Sequence, residues 1–116
     1  MALEVAPRQQ MPVLPLEERK RSFAEQYLGF SEEAAVAEAS RCIQCKKPNC
    51  SQKGCPLHNR ITEWIALIKQ RKFMEAAALS RTTSSMPEVC SRVCPQERLC
   101  EGSCALGIKH EPVAIE

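Results

Sequence analysis

Eight cysteines gathered into two segments constrain this chain more than any other feature. The first segment reads Cys42-x2-Cys45-x4-Cys50-x4-Cys55-Pro56, and the second reads Cys90-x3-Cys94-Pro95-x4-Cys100-x3-Cys104. The chain has 116 residues, which suits one domain. Its aromatic side chains are three Phe, one Trp and one Tyr, so the apolar core is modest, and domains of this kind recruit disulfides or metals to make up the difference. No basic stretch followed by an apolar run opens the sequence, and no apolar segment approaches the length of a membrane span. The expected compartment is therefore the cytoplasm, where a cysteine-rich pattern reads as metal binding before it reads as disulfide. The formal net charge of +2 is too weak and dispersed to suggest a nucleic-acid partner.

Hydrophobic spacing predicts an all-α fold with irregular cysteine loops. Pro7, Pro12 and Pro15 make residues 1–15 an extended arm. Residues 16–29 are helix-compatible, with Phe23 and Tyr27 four apart and Gly29 as a stop. We expect residues 1–30 to form an arm and helix, and residues 31–116 to form a helical metal-binding domain. Ser31 caps the next predicted helix, with Glu32 and Glu33 in its first turn, where the helix dipole favours acids. Ile61, Trp64, Ile65 and Ile68 fall at i, i+3, i+4 and i+7, the clearest amphipathic helix in the chain. Phe73, Ala76, Ala77 and Ser80 suggest a further helix with a small-residue face, and Pro87 suits the first position of a short one. No segment shows the alternation of a strand.

Soft thiolates suit zinc, copper(I) or iron–sulfur centres. Structural zinc takes two short pairs, for which Cys42 with Cys45 and Cys90 with Cys94 would serve. That choice does not account for three closely placed thiols followed by Cys55-Pro56. Bacterial two-cluster ferredoxins use this layout: three cysteines hold one cluster and a fourth, followed by proline, reaches the other. The gaps here are longer, so the logic is shared and the motif is not. By that logic Cys42, Cys45 and Cys50 hold one cluster, which Cys104 completes. Cys55 crosses to join Cys94 and Cys100 at the second. Loading two [4Fe–4S]²⁺ cores on eight thiolates would bring the net charge to about −2.

From residue 31 to 115 the chain resembles the N-terminal iron–sulfur domain of the small (beta) subunit of bacterial NADPH-dependent glutamate synthase. The residues that carry the resemblance are Glu38-Ala39-Ser40-Arg41-Cys42-Ile43-Gln44-Cys45, Gly54-Cys55-Pro56, Met86 through Glu97, Leu99-Cys100-Glu101 and Glu111-Pro112-Val113-Ala114-Ile115. Similar domains open dihydropyrimidine dehydrogenase and the NADPH-binding subunit of bifurcating ferredoxin–NADP oxidoreductases. The resemblance implies a helical unit with two clusters and the crossed ligation above. It also implies that the position of Cys90 is not a ligand in the related dihydropyrimidine enzyme, which completes its second cluster with a glutamine beyond the last cysteine. Family members continue past the Val-Ala-Ile stretch with glycine and a turn before an acidic residue, whereas here Glu116 follows Ile115 directly. The fourth ligand of the second cluster is thus Glu116 or Cys90, or it is missing, and a Cys90 that does not ligate is expected to be a spare buried thiol. Relatives carry FAD and NADPH domains after this unit. This sequence has no G-x-G-x-x-G, so those cofactors are expected only on domains outside it.

Other residues have plain readings. His58 and His110 are expected to be ordinary polar side chains, and Arg19-Lys20-Arg21 a solvated face. Lys46, Lys47, Lys53 and Arg92 lie near cysteines, where positive charge would raise a cluster's potential. Two function classes compete. One is an electron relay between an NAD(P)H-reduced flavin and a partner redox centre, within glutamate synthase or another flavin oxidoreductase. The other is a zinc-stapled structural or interaction domain.

Overall fold

The computed structural model describes residues 5–115, and over them the fold is all-α, built of five short helices and several tighter turns. The helices are α1 (Leu16–Arg21), α2 (Glu32–Ala39), α3 (Ile61–Lys69), α4 (Phe73–Ser80) and α5 (Pro87–Val93). Between α2 and α3 a π-helical turn spans Cys50–Gly54, and after α5 two 3₁₀ turns span Glu101–Ser103 and Ala105–Ile108.

Helix α1 is shorter than the expected 16–29. Ser22 is extended, and its hydroxyl donates to the Glu18 carbonyl at 3.2 Å while accepting from Ala24 N at 3.4 Å. A serine that bonds its own neighbourhood in this way competes with the helix ladder. Beyond it the chain doubles back. Val13 and Tyr27 form an isolated antiparallel bridge, flanked by Leu14 N to Gln26 O and Leu28 N to Pro12 O, both at 2.9 Å. Phe23 is fully exposed, so the Phe23–Tyr27 spacing marks no helical face. Gly29 has a φ of 80°, which glycine adopts without the steric cost a Cβ brings.

The other helices follow from local chemistry. Ser31 Oγ accepts from Ala34 N at 3.2 Å, capping α2. Helix α3 buries Ile61 and Ile65 and lays Trp64 and Ile68 against the same core. Its start is capped from a distance, by Ser51 Oγ of the π turn, which accepts from Ile61 N at 3.3 Å. It ends without glycine: Arg71 takes a φ of 61°, Arg71 N donates to Ile68 O and Lys72 N to Leu67 O, both at 2.9 Å. This is the Schellman pattern, which satisfies the last carbonyls and turns the chain directly into α4. Ala76 is buried on α4, and small residues there let α3 and α4 pack closely. Pro87 stands at the start of α5.

The core is a seam of Ala39, Cys50, Ile61, Ile65, Cys100, Leu106, Val113 and Ile115, with Val5 against it. Two features weld the cysteine segments to this seam. Gly54 lies against the second segment so closely that a Cβ there would stand 2.5 Å from Leu99 O and 2.8 Å from Cys100 Cα. A buried ionic clasp joins both ends of the described chain. Arg41 Nη1 meets Glu38 Oε1 at 2.7 Å. The same guanidinium donates to the carbonyls of Ala6, Glu111 and Pro112. Glu38 accepts in turn from Gln9 N and Ala114 N. Glu101 accepts from Ile115 N and pairs with Arg8 at 2.9 Å.

Candidate iron–sulfur centres

All eight cysteines are free thiols, and they are divided between two cavities. A small one of about 20 Å³ is lined by Cys42, Cys45, Cys50 and Cys104 together with Ile43, Ile65, Leu106, Val113 and Ile115. A larger one of about 510 Å³ is lined by Cys55, Cys90, Cys94 and Cys100. Its other walls come from Trp64 and Ile68 of α3, Phe73, Ala76 and Ala77 of α4, and Pro87 of α5. Each cavity takes thiols from both segments. The π turn sends Cys50 and Cys55 to different sides, and the first 3₁₀ turn does the same for Cys100 and Cys104.

The small cavity is electrostatically unfavourable for free thiolates. Burial pushes the Cys42 thiol up, the Gln44 main-chain N–H pulls it back, and nearby Cys104 and Cys45 add to the rise. Burial also raises Cys50, against hydrogen bonds from Ser51, with Cys104 and Cys42 again contributing. All four thiols line this one cavity. Deprotonating them calls for a cationic core between them. In the structure Gln44 Nε2 lies 3.4 Å from Cys42 Sγ, and Asn59 N lies 3.5 Å from Cys55 Sγ.

Asn59 is a positioning residue that the sequence did not advertise. It is buried, its amide donates to Ser80 O at 3.0 Å and Thr83 Oγ1 at 2.9 Å, and its Oδ1 accepts from Trp64 Nε1 at 2.8 Å. With its main-chain N–H on Cys55 Sγ and its side chain on these partners, Asn59 ties Cys55 to α3 and to the end of α4. The histidines stay out of both cavities. His58 Nδ1 is 3.1 Å from Ser51 O, and His110 is exposed. Lys46, Lys47 and Lys53 are exposed, and Arg92 reaches Glu25 at 3.4 Å. Glu116 lies outside the described residues.

The donor sets suit soft metal chemistry in apolar surroundings. Among the described residues no three His, Cys, Asp or Glu side chains converge on a point able to hold a single metal ion. No helix among the described residues is long and apolar enough to cross a membrane.

Fold and thiols together define a [4Fe–4S] iron–sulfur domain. Residues 19–116 match the family described as dihydropyrimidine dehydrogenase domain II, 4Fe–4S cluster, and the chain belongs to that family. It is 50% identical over 104 residues to the glutamate synthase [NADPH] small chain of Escherichia coli K12, covering 90% of this chain and 22% of that protein. The glutamate synthase [NADPH] small chain of Halomonas elongata is 48% identical over 99 residues, covering 85% of this chain and 21% of that one. A third relative, named "Putative oxidoreductase UacF", also from Escherichia coli K12, is 51% identical over 90 residues, covering 77% of this chain and 14% of its own length. The chain thus spans about a fifth of the glutamate synthase small chains it matches.

Proposed function

We propose that this chain is an electron-transfer module with two [4Fe–4S] clusters. In this reading residues 31–116 are the cluster-binding unit and residues 1–30 its arm and first helix. Cys42, Cys45, Cys50 and Cys104 hold one cluster. Cys55, Cys94 and Cys100 hold the other, with Cys90 or Glu116 as its fourth ligand. The observation that carries the reading is the division of eight thiols into two apolar cavities, four to each. When bound, the clusters supply sites that accept and release single electrons. The protein's own part is to bury the sulfurs, supply N–H groups to them and exclude water.

The module relays electrons between an NAD(P)H-reduced flavin and a partner redox centre. The kinship with glutamate synthase small chains favours that enzyme as the setting. FAD and NADPH then sit on domains outside this sequence, the partner is a large redox subunit, and the compartment is the cytoplasm, with neither nucleic acid nor membrane engaged. The relative named an oxidoreductase favours a second setting, the same module in another flavin oxidoreductase. Anaerobic reconstitution followed by metal and sulfide analysis tests the cluster content: about eight iron and eight sulfide per chain are expected. Two zinc and no sulfide would replace the relay with a structural module.

A further inference from the structure

Among the described residues three other than glycine have positive φ: Gln44 at 52°, His58 at 51° and Arg71 at 61°. Such conformations cost free energy for a residue with a Cβ, and an observed instance invites a functional explanation. Arg71 is accounted for by the Schellman turn. His58 closes a turn through its main-chain N–H to Cys55 O at 3.0 Å, and its ring reaches Ser51 O. Gln44 lies between Cys42 and Cys45 and turns back on a sulfur. Its side-chain Nε2 approaches Cys42 Sγ at 3.4 Å. A ligating thiolate carries no proton and only accepts, so the amide must present its NH₂ there. Gln44 is exposed and lines neither cavity, so it fills no core space.

Hydrogen bonds to cluster sulfurs withdraw electron density and stabilise the more negative, reduced state, which raises the potential. We propose that Gln44 raises the reduction potential of the cluster at Cys42, Cys45, Cys50 and Cys104 by donating its side-chain N–H to Cys42 Sγ. This inference rests on the iron–sulfur reading above. It makes Gln44 a tuning residue rather than a ligand, and it assigns the tuning to an amide dipole in place of the neighbouring lysines.

The test uses Gln44→Gly, which deletes the donor at a position whose positive φ glycine accepts, and Gln44→Glu, which replaces the donor with an acceptor. Gln70→Leu, an exposed site that lines neither cavity, is the control. Reconstituted proteins would be titrated electrochemically, with electron paramagnetic resonance following each cluster, and iron and sulfide measured alongside. The expected result is full iron content and one of the two reduction waves displaced to more negative potential, further in Gln44→Glu than in Gln44→Gly, with no displacement in Gln70→Leu. Unmoved waves at full iron content overturn the proposal and leave the iron–sulfur reading intact. Loss of the cluster in both Gln44 variants also overturns it, because Gln44 would then be needed for binding. Absence of iron from the unmodified chain overturns the reading beneath it.

Discussion

Replacing Gly54 with alanine should cost the domain its stability and its metal together. The new Cβ would stand 2.5 Å from Leu99 O and 2.8 Å from both Leu99 C and Cys100 Cα. Carbon approaches such atoms at about 3.5 Å under ordinary packing, so the π turn and the second cysteine segment must separate by close to an ångström. The obstructing atoms are main chain, so no rotamer change relieves the clash. Overpacking of this kind costs about 1–3 kcal/mol, and the upper end applies because backbone must move. A loss of about 3 kcal/mol is a large share of a stability of about 5–15 kcal/mol, and it corresponds to roughly 10 °C in melting temperature. The displacement also carries Cys100 away from Cys55 and opens the spacing of both thiol sets. The assay pairs a urea or thermal melt of the reconstituted protein with its iron content, and Gly107→Ala is the control. A Cβ at Gly107 would meet Pro112, most closely its Cβ at 3.3 Å, and should shift the melt by about 0.5 kcal/mol or less. If Gly54→Ala melts with the parent protein and keeps its iron, the close approach does not govern how the two segments meet.

Further outcomes bear on the clasp and the thiols. Arg41→Met should lower stability by about 3–5 kcal/mol, because it leaves Glu38 buried and unpaired, and Arg41→Lys should fall between, lacking the planar fork. Urea midpoints check this, and an unchanged midpoint in Arg41→Met would refute it. Cluster assembly needs thiolates, and burial first of all holds Cys42 and Cys50 above the ordinary thiol value of 9.0. Protons therefore compete with iron at neutral pH, so reconstitution yield should rise from neutral pH towards 9.0, with protons released on loading. A yield that falls over that span contradicts the sign. Cys90→Ser and Glu116→Ala, compared by iron loss in air, identify the fourth ligand of the second cluster: the variant that loses iron names it, and equal retention in both points to solvent or a group outside this chain. The cluster at Cys42 should be the slower to decay in either case, since it has four thiolates and the other is completed by a harder or more exchangeable donor; the reverse order would contradict that reasoning.

The parts of the fold legible from sequence were those fixed by short-range chemistry. The apolar stripe of Ile61, Trp64, Ile65 and Ile68 is the inner face of α3. Ser31 caps α2, and Pro87 opens α5. What escaped was decided by partners distant in sequence. Phe23 and Tyr27 have helical spacing, yet pairing of residues 26–28 with 12–14 overrides it. The end of α3 carries no glycine to announce it, because Arg71 takes the left-handed position itself. The candidate site divides in the same way. Cysteine spacing located the thiols, while Asn59 and Arg41 act through partners distant in sequence, Ser80 and Thr83 for the one and Ala6, Glu111 and Pro112 for the other. Glu38 and Arg41 sit three apart on a helix end, where an exposed pair would be unremarkable; burial is what gives this one its weight.

The clasp also has a mechanical meaning. Arg41 is the residue immediately before Cys42, and its guanidinium grips the carbonyls of Ala6, Glu111 and Pro112. Tension applied through the arm and through the segment ending at Ile115 therefore meets at one side chain, whose backbone continues into the first thiol. A pull on either segment loads the same guanidinium. The clasp therefore moors both segments beside the cavity that Cys42 lines.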